Sequence, residues 1–302
     1  MGIRETVKAS VAGETRLQFQ SVGIISKPRR PDIQKIVPEL LQWLAERGLA
    51  CSYDLETSEA LGGGDGRTRE QLAAQVDLLV VLGGDGTLLS AARAVGGRNI
   101  PLLAVNLGGL GFLMTTGPHE LYPALERALR GEFEVQRRPL LRGQLIRDQQ
   151  VTACYDALND VVVNKAAMAR VIEMDAFVDE EFVCSYRADG LIISTPTGST
   201  AYSLSAGGPV VAPAVAAICI TPICPHTLTN RPVLLPDSAQ VEVVVKDADD
   251  ASYLTVDGQV GLGLRSHDRV RCFSSPYQVH LIQPQRLRFF DVLRDKMKWG
   301  ER

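Results

Sequence analysis

An apolar segment leads directly into a glycine turn and then into a helical pattern in the first half of the chain. Residues 76–82 (VDLLVVL) are long enough for a buried strand, GGDGT follows at 83–87, and residues 88–95 have helical spacing. A strand followed at once by a helix is typical of parallel sheets, because each helix packs back on the sheet. This feature therefore predicts an α/β domain.

The same order occurs on both sides of that segment. Residues 21–26 and 100–106 are two further apolar segments typical of buried strands, and helical patterns follow at 33–44 and 121–130. Pro38 lies inside the first helical pattern, so we expect a kink or a later start there. Alternating strands and helices predict a doubly wound parallel sheet over residues 21–137, after a flexible extension over residues 1–20.

The pattern changes near Arg137. From there to about Tyr277 the apolar segments are short and separated by turn residues, and they lie at 161–163, 171–177, 191–194, 241–245 and 253–256. Such spacing predicts a second, mostly antiparallel β domain over residues 138–278. The tail at 287–299 is polar and aromatic, and we expect a helix that docks on one of the two domains.

Charge and composition limit the function classes. The net charge of −3 gives no long-range attraction for nucleic acid, and no apolar segment reaches the roughly 18 residues of a membrane helix. The first twenty residues lack the apolar core of a signal peptide, and the six cysteines are scattered. We therefore expect a cytoplasmic protein with reduced thiols and with no nucleic-acid or membrane partner. Cys219, Cys224 and His226 lack the spacing of a zinc site.

The motif Gly-Gly-Asp-Gly occurs twice, at 63–66 and at 83–86. The second copy follows an apolar strand and opens a helix, so backbone N–H groups and the positive helix end meet there, as phosphate binding requires. The predicted phosphate-binding residues are Gly83, Gly84, Gly86 and Thr87, where Thr87 either caps the helix or bonds a phosphate oxygen. The first copy follows the polar residues 56–60 and is predicted to be a flexible loop.

An aspartate beside a phosphate repels it unless a cation or a proton transfer explains the carboxylate. Asp85 therefore has two candidate tasks: it holds Mg²⁺ on a phosphate chain, or it acts as a base toward an attacking hydroxyl. A turn-capping aspartate is the structural alternative. The surrounding segment is neither a Walker A loop nor a dinucleotide fingerprint, because both spacings are absent.

Four further segments have a binding and a structural interpretation each. NLGGLGF at 106–112 is either a second ligand loop or a tight turn, and DGQ at 257–259 resembles a hairpin turn. Asn159 and Asp160 offer an amide and a carboxylate, which can bond the vicinal diol of a ribose, or they form a turn. Residues 188–209 are rich in hydroxyls and glycine and include Tyr202 as a possible stacking surface.

Taken in order, five of these segments resemble the motifs of the NAD kinase family. They are GGDGT at 83–87, NLGGLGFL at 106–113, Asn159-Asp160, Asp189-Gly190 with TPTGSTAYS at 195–203, and DGQ at 257–259. Phosphofructokinases and the diacylglycerol- and sphingosine-type lipid kinases share only the first motif, whereas the TPTGSTAY segment distinguishes NAD kinases. The resemblance covers nearly all of the chain after about Ser21.

The resemblance implies a fold and a reaction. The fold is α/β plus β, with a Rossmann-like doubly wound N-terminal domain and an antiparallel, β-sandwich-like C-terminal domain, and the segment 279–302 packs back on the first domain. The reaction is transfer of the ATP γ-phosphate to the 2′-hydroxyl of the adenosine ribose of NAD, with Mg²⁺ or another divalent cation, giving NADP and ADP. A homodimer or homotetramer is also implied.

The family's motifs assign roles to particular positions. Asp85 corresponds to the catalytic base or hydroxyl-orienting group, and Arg187 to a basic position associated with preference for NAD over NADH. Arg170 stands where the family often has histidine, which leaves its role open. The implied substrate-binding residues are Asp85, Gly86, Asn159, Asp160, Arg170, Arg187, Asp189, Thr200, Ala201, Tyr202, Ser203, Leu204, Ser205 and Gln259.

Two alternatives stay open on sequence alone. A lipid or sugar kinase of the same superfamily would use the same phosphate turn with another acceptor. A non-catalytic regulator would bind NAD and release no ADP, although a regulator gains little from a carboxylate beside phosphates. The sequence also leaves open whether ATP or polyphosphate is the donor.

Overall fold

A computed structural model of the chain describes residues 18–109, 111–165, 171–247, 252–283 and 289–298. Four parallel strands form the first part of the fold, in the spatial order β2-β1-β3-β4. They are β1 (Ser21–Ser26), β2 (Ala50–Tyr53), β3 (Leu78–Gly83) and β4 (Pro101–Asn106). The helices between and after them are α1 (Ile33–Ala45), α2 (Leu55–Ala60), α3 (Arg69–Ala73), α4 (Asp85–Val95) and α5 (Leu121–Leu129).

Helices cover both faces of this sheet, which explains why its central strands are apolar throughout. Every residue of β3 is buried. In β1 and β4 the first residue is partly exposed and all the others are buried. α1 and α5 share one core with one face, while α3 and α4 share a second core with the other. The predicted doubly wound arrangement is therefore confirmed.

Three local expectations differ from the structure. α1 begins at Ile33 and continues past Pro38, so the later start is wrong; the proline is exposed, and buried Ile33 and Val37 hold the first turns on the sheet. β2, a four-residue edge strand, was not predicted. α4 begins at Asp85 with Gly84 as its N-cap, so Thr87 does not cap it.

The second part of the fold contains twelve strands within the described residues. They are β5 (Glu134–Arg147), β6 (Gln150–Ala157), β7 (Asp160–Lys165), β8 (Ile172–Val178), β9 (Glu181–Ala188), β10 (Gly190–Ser194), β11 (Ala217–Ile223), β12 (Val233–Pro236), β13 (Val241–Asp247), β14 (Ser252–Val256), β15 (Val260–Gly263) and β16 (Arg269–Gln283). Six of them form an antiparallel sheet in the order β12-β11-β10-β7-β14-β15. A shared apolar core joins this sheet to β5, β8, β13 and β16, which confirms the sandwich-like packing.

β16 belongs to both parts of the molecule. Its first half pairs antiparallel with β13 and β5, and its last residues pair parallel with β4, opposing His280 to Pro101 and Ile282 to Leu103. One ten-stranded mixed sheet consequently runs through both halves, which the sequence analysis did not anticipate. The domain boundaries at 137 and 278 stay predictions, because β5 begins before the first and β16 extends past the second.

A short helix, α6 (Tyr202–Ser205), follows β10. The described part of the tail is α7 (Phe289–Met297), which buries Val292 and Leu293. Residues 62–66, which include the first Gly-Gly-Asp-Gly copy at 63–66, form an irregular loop between α2 and α3, as predicted. Gly62, Gly63 and Gly64 have positive φ. Within the described ranges, no helix is long and apolar enough to cross a membrane.

Candidate active site

The second Gly-Gly-Asp-Gly copy lies where three parallel strands end. Gly83 is the last residue of β3, and its carbonyl accepts the N–H of Leu107 from the end of β4 at 2.8 Å. A Cβ on Gly83 would overlap the Thr87 side chain, so this position requires glycine. Gly84 and exposed Gly86 flank Asp85 at the first turn of α4. The free N–H groups of that turn give this site its capacity for anions.

The Asp85 carboxylate is held by the loop that follows β4. Its two oxygens accept the backbone N–H groups of Phe112, at 3.0 Å, and Met114, at 3.2 Å. A Cβ on Gly111 would overlap Asp85 Oδ1, so glycine is needed for this close approach. The two glycine-rich segments are thus one structural unit, in which the second orients the carboxylate of the first.

Asn106 fixes the shape of that loop. Its amide oxygen accepts the N–H of Gly108 at 2.8 Å, and its amide nitrogen donates to the carbonyl oxygens of Gly109 and Met114 at 2.9 and 3.3 Å. The side chain is buried at the end of β4. The tight-turn interpretation of the segment 106–112 agrees with these contacts, although Leu110 lies outside the described residues.

Asn159 and Asp160 lie at the start of β7, and a third acidic residue positions them. The Asp257 carboxylate accepts the backbone N–H groups of Leu158, Asn159 and Asp160 at 3.0, 2.7 and 3.2 Å. Asp257 forms the predicted hairpin turn between β14 and β15, with positive φ at Asp257 and Gly258. The hairpin therefore both reverses the chain and positions the backbone at the start of β7.

The two neighbouring carboxyl groups share a buried environment. Burial, and then the charge of Asp257, raise the pKa of Asp160 to about 7. Burial also raises the pKa of Asp257, although its three backbone donors oppose that change. The charge of Asp160 thus changes within the physiological pH range.

The hydroxyl-rich segment after β10 passes very close to Asn159. A Cβ on Gly198 would overlap the Asn159 backbone, and Thr195 N–H donates to the Asn159 carbonyl at 2.9 Å. Within the described part of the chain, three buried polar atoms around this contact have no hydrogen-bond partner: Asn159 Oδ1, Ser194 Oγ and Thr197 Oγ1. Buried polar atoms are rarely left unpaired, so this cluster is suited to a polar ligand.

Tyr202 begins a four-residue helix next to that cluster and is 44% exposed. Burial raises the pKa of its hydroxyl, and the charges of Cys224, Asp160 and Asp189 raise it further, so these three groups lie near Tyr202. The ring offers the stacking surface predicted from the sequence. Buried Ser203 instead bonds Thr221 Oγ1 at 2.9 Å, so its hydroxyl has a structural role.

The remaining predicted binding residues have varied surroundings. Thr200 Oγ1 donates to the Thr197 carbonyl at 3.2 Å. Asp189 pairs with Lys165 at 3.1 Å, and exposed Arg187 pairs with Glu173 at 3.1 Å across two strands. Ala201 and Leu204 are half-buried, whereas Ser205 is exposed. Arg170 lies outside the described residues.

A chain of hydrogen bonds joins the two halves of the site. Arg93 Nη2, on α4, donates to Gln259 Oε1 at 2.8 Å, and Gln259 Nε2 donates to the Gly86 carbonyl at 2.6 Å. The positive charge of Arg93 also acts on Asp257. One hairpin turn thus contacts Asn159 and Asp160 through Asp257, and the glycine turn through Gln259.

Sequence reasoning missed Arg93 and gave Asp257 no functional role. A signal was present for the arginine, because it lies eight residues after Asp85 on the same helix, which is slightly more than two turns. No local pattern predicts the carboxylate of Asp257 as an acceptor for residues about a hundred positions away. Thr197, whose buried hydroxyl has no partner, was equally hidden within a loop-like composition.

The side chains around the site indicate how the predicted cation could be held. Among the described residues, no three histidine, cysteine, aspartate or glutamate side chains are placed to hold a metal ion. Mg²⁺ typically takes one or two carboxylates together with substrate phosphates and water, so the single carboxylate of Asp85 fits a cation that arrives on a nucleotide. Cys224 and His226 have no metal-binding cluster around them in the described ranges.

This arrangement is suited to phosphoryl transfer. The N–H groups at the start of α4 can carry phosphate, while a fixed carboxylate at the same turn can orient an acceptor hydroxyl. The fold and the site together define a two-domain nucleotide phosphotransferase.

Comparison with known proteins identifies the family. The model of the ATP-NAD kinase N-terminal domain matches residues 22–133, and that of the ATP-NAD kinase C-terminal domain matches residues 158–284. An NAD kinase from Solibacter usitatus is 58% identical over 284 residues, 94% of this chain and 99% of the relative. An NAD kinase from Koribacter versatilis is 48% identical over 94% of this chain and all of the relative. The chain belongs to the NAD kinase family, and it is an enzyme.

Solved structures agree with this assignment. Yeast NADH kinase complexed with NADH superposes with a TM-score of 0.87 at 26% identity, covering 94% of this chain and 88% of the yeast chain. An NAD kinase from Archaeoglobus fulgidus in complex with ATP shares the fold, with a TM-score of 0.74 at 24% identity over 92% of this chain and 98% of that chain.

Proposed function

We propose that this enzyme transfers the γ-phosphate of ATP to the 2′-hydroxyl of the adenosine ribose of NAD, and that Asp85 accepts or orients the hydroxyl proton. The observation that supports this most is the hairpin turn at 257–259. Its Gln259 bonds the Gly86 carbonyl and its Asp257 bonds the backbone of Asn159 and Asp160. An acceptor held by the pair is thereby brought to the turn that carries Asp85.

Asp85 is suited to the role of base. Its two hydrogen bonds to Phe112 and Met114 fix the carboxylate but use only one lone pair of each oxygen, which leaves acceptor capacity for a hydroxyl. The side chain is only partly buried, so a substrate can reach it. Positioning and charge stabilisation would supply most of the rate, with a carboxylate base adding on the order of 10²–10⁴-fold.

The donor phosphates would lie on the glycine turn. Gly83, Gly84, Gly86 and Thr87 surround the N-terminal N–H groups of α4, where phosphate is favoured by free donors and by the helix dipole. A divalent cation bound to the ATP phosphates would neutralise charge that develops during transfer. Asp85 is the carboxylate at this turn available to such an ion.

The acceptor would lie against β7 and the hydroxyl-rich segment. Asn159 and Asp160 would bond the ribose, and the unpaired oxygens of Asn159 and Thr197 are suited to the amino edge of adenine. Tyr202 supplies the stacking surface. Arg170, Arg187, Asp189, Thr200, Ala201, Ser203, Leu204, Ser205 and Gln259 complete the proposed substrate-binding set, with Ser203 acting through its structural bond.

Three finer points belong to the same proposal. The enzyme works in the cytoplasm, assembles as a homodimer or homotetramer, and prefers NAD to NADH because of Arg187. Light scattering tests the assembly, and paired assays with NAD and NADH test the preference. Replacing Arg187 with glutamine should lower the ratio of NAD to NADH turnover, whereas an unchanged ratio would remove Arg187 from the proposal.

The direct test measures ADP released from ATP and Mg²⁺ with and without NAD, together with the dinucleotide product. We expect NAD-dependent ADP and an equal amount of NADP. NAD binding without ADP would support the non-catalytic regulator, and turnover only with polyphosphate would replace the donor. Turnover of a lipid or sugar in place of NAD would overturn the proposed acceptor.

A further inference from the structure

A cavity of about 370 Å³ lies beside the candidate active site, and its walls contain none of the residues proposed to bind NAD. One wall comes from the loop after β4, with Phe112 and Thr115, and another from α7, with Phe289 and Val292. Its volume is at the lower end of the range for ligand pockets, so it would hold a small organic molecule.

Arg138, on β5, gives this cavity an unusual charge. The residue is only 7% exposed, and its Nη2 donates to Gln136 Oε1 at 2.8 Å. Its buried Nε has no hydrogen-bond partner among the residues that the structure describes. No salt bridge to Arg138 occurs within the described ranges. Burial alone lowers the pKa of the guanidinium to about 10, with no carboxylate opposing that change.

A buried arginine without a counter-ion is energetically unfavourable. The guanidinium keeps its charge at neutral pH, and buried charges are otherwise paired or hydrogen-bonded on every side. The amide oxygen of Gln136 satisfies one donor but neutralises no charge. The missing partner is therefore an anion, and the cavity on which Arg138 opens provides room for one.

We infer that this cavity binds a small organic anion, with its carboxylate or phosphate on Arg138 and its apolar or aromatic body against Phe112 and Phe289. Arg favours such groups because its planar fork can form two parallel charge-assisted hydrogen bonds. The aromatic walls favour a flat apolar body over a bare inorganic ion.

The cavity is connected to the candidate catalytic residue through a single amino acid. Phe112 lines the cavity, and its backbone N–H donates to Asp85 Oδ2 at 3.0 Å. An occupant that moves Phe112 would also move the Asp85 carboxylate. Binding there would consequently change turnover, a step that rests on the proposed function, whereas binding itself does not.

Thermal unfolding of the full-length chain tests the binding. Phenyl phosphate and benzoate serve as probes, each compared with sodium chloride at equal ionic strength, and Arg138→Met is compared with the surface variant Arg130→Met. Near 100 times its Kd, a probe should raise the Tm of the wild type and of Arg130→Met by about 4–6 °C. Arg138→Met should show no such rise, and in chloride its Tm should equal or exceed that of the wild type.

Three results would overturn the inference. A rise that persists in Arg138→Met would place the probe elsewhere, and a rise abolished by saturating NAD would place it in the substrate pocket. A Tm of Arg138→Met several degrees below the wild type in chloride would show an internal structural role for the arginine. None of these readouts requires kinase activity, so failure of the proposed function would be recognised separately. A Tm rise with phenyl phosphate alone would indicate a phosphate site, and a rise with benzoate alone would indicate a carboxylate site.

Discussion

Asp85 and Asp160 are both carboxylic acids of the proposed site, but their surroundings differ. Asp85 is partly exposed and is held by two backbone N–H groups, whereas Asp160 is buried beside Asp257. Burial and this neighbour raise the pKa of Asp160 to about 7. The charge of Asp160, unlike that of an exposed aspartate, is therefore set by pH near neutrality.

Asp160→Asn tests this environment through stability. Because the folded-state pKa is raised from about 4 to about 7, the folded protein binds the proton more tightly, and stability from Asp160 is lost as pH rises through 7. Asparagine never ionises. Between pH 5 and pH 8, the free energy of unfolding of the wild type should therefore fall by about 2–3 kcal/mol relative to that of the variant.

Urea unfolding at the two pH values measures that difference. Asp148→Asn is the matched control, since Asp148 is an exposed aspartate in a hairpin. An identical difference between Asp160→Asn and the wild type at both pH values would contradict the raised pKa.

Gly111→Ala tests how Asp85 is positioned. A Cβ at this position would overlap Asp85 Oδ1, so the carboxylate must move and its two N–H bonds must lengthen. We expect kcat to fall by about 10-fold or more, because a small misplacement of a reacting group is costly. The Kd for NAD should change little.

Gly109→Ala is the control, since a Cβ there meets nothing within 4 Å and Gly109 is exposed. Steady-state kinetics with NAD titration by calorimetry separates the two parameters. Equal kcat values for both variants would show that Asp85 is not held by this loop.

At the scale of elements, the β14–β15 hairpin is the part that joins the two halves of the site. Gln259 contacts Gly86 and Arg93, and Asp257 contacts the start of β7. The turn is only three residues long and has positive φ at Asp257 and Gly258, so both contacts depend on one short turn. In the proposed reaction, the hairpin would therefore set the distance between donor and acceptor.

Arg93→Met should loosen this connection. Gln259 would lose its bond to the arginine, and the Gly86 turn would lose its fixed contact, while Asn159 and Asp160 keep theirs to Asp257. We expect a loss in kcat that is larger than any rise in KM for NAD. A KM effect alone would assign Arg93 to substrate binding.

A double-mutant cycle with Gln259→Ala measures the coupling. If Arg93 acts through Gln259, the double variant should be little worse than either single one, with an interaction energy of about 0.5–3 kcal/mol. Strictly additive effects on kcat would show that the two side chains act independently.

Regular elements and their motifs were predictable because their signals are local. The apolar segments at 76–82 and 100–106 gave strands, and the glycine turn after the first gave a helix start. β2 was missed because its four residues, Ala-Cys-Ser-Tyr, lie at the sheet edge and include no run of large aliphatic side chains. The bonds of Asp257 and Arg93 could not be predicted, since they join residues between about 100 and 170 positions apart.

At the scale of the whole molecule, β16 makes the two halves parts of one sheet. Val279 and Leu281 are buried in the core of the α/β half, while Val270 and Cys272 of the same strand are buried in the β half. No local sequence signal distinguishes a strand that lies in two cores from two separate strands. The halves should consequently depend on each other for stability.

Leu281→Ala tests this dependence. Truncating a buried leucine costs about 2–5 kcal/mol, and because β16 is shared, both halves should lose stability together. With Trp299 replaced by phenylalanine in both proteins, Trp43 fluorescence reports the α/β half, where it contacts Tyr122. Far-UV circular dichroism reports the whole chain. The two urea transitions should coincide and shift equally. Two separated transitions would show that the halves unfold independently.

The most direct test of the account is the effect of Asp85→Asn on turnover and on NAD affinity, measured on the same preparation. Asparagine keeps the size and part of the hydrogen bonding of Asp85 but cannot accept a proton as a carboxylate does. The account predicts a fall in kcat of about 10²–10⁴-fold, with a Kd for NAD within a few-fold of the wild type. Retained turnover at saturating NAD, with binding lost, would contradict the role of Asp85 in phosphoryl transfer.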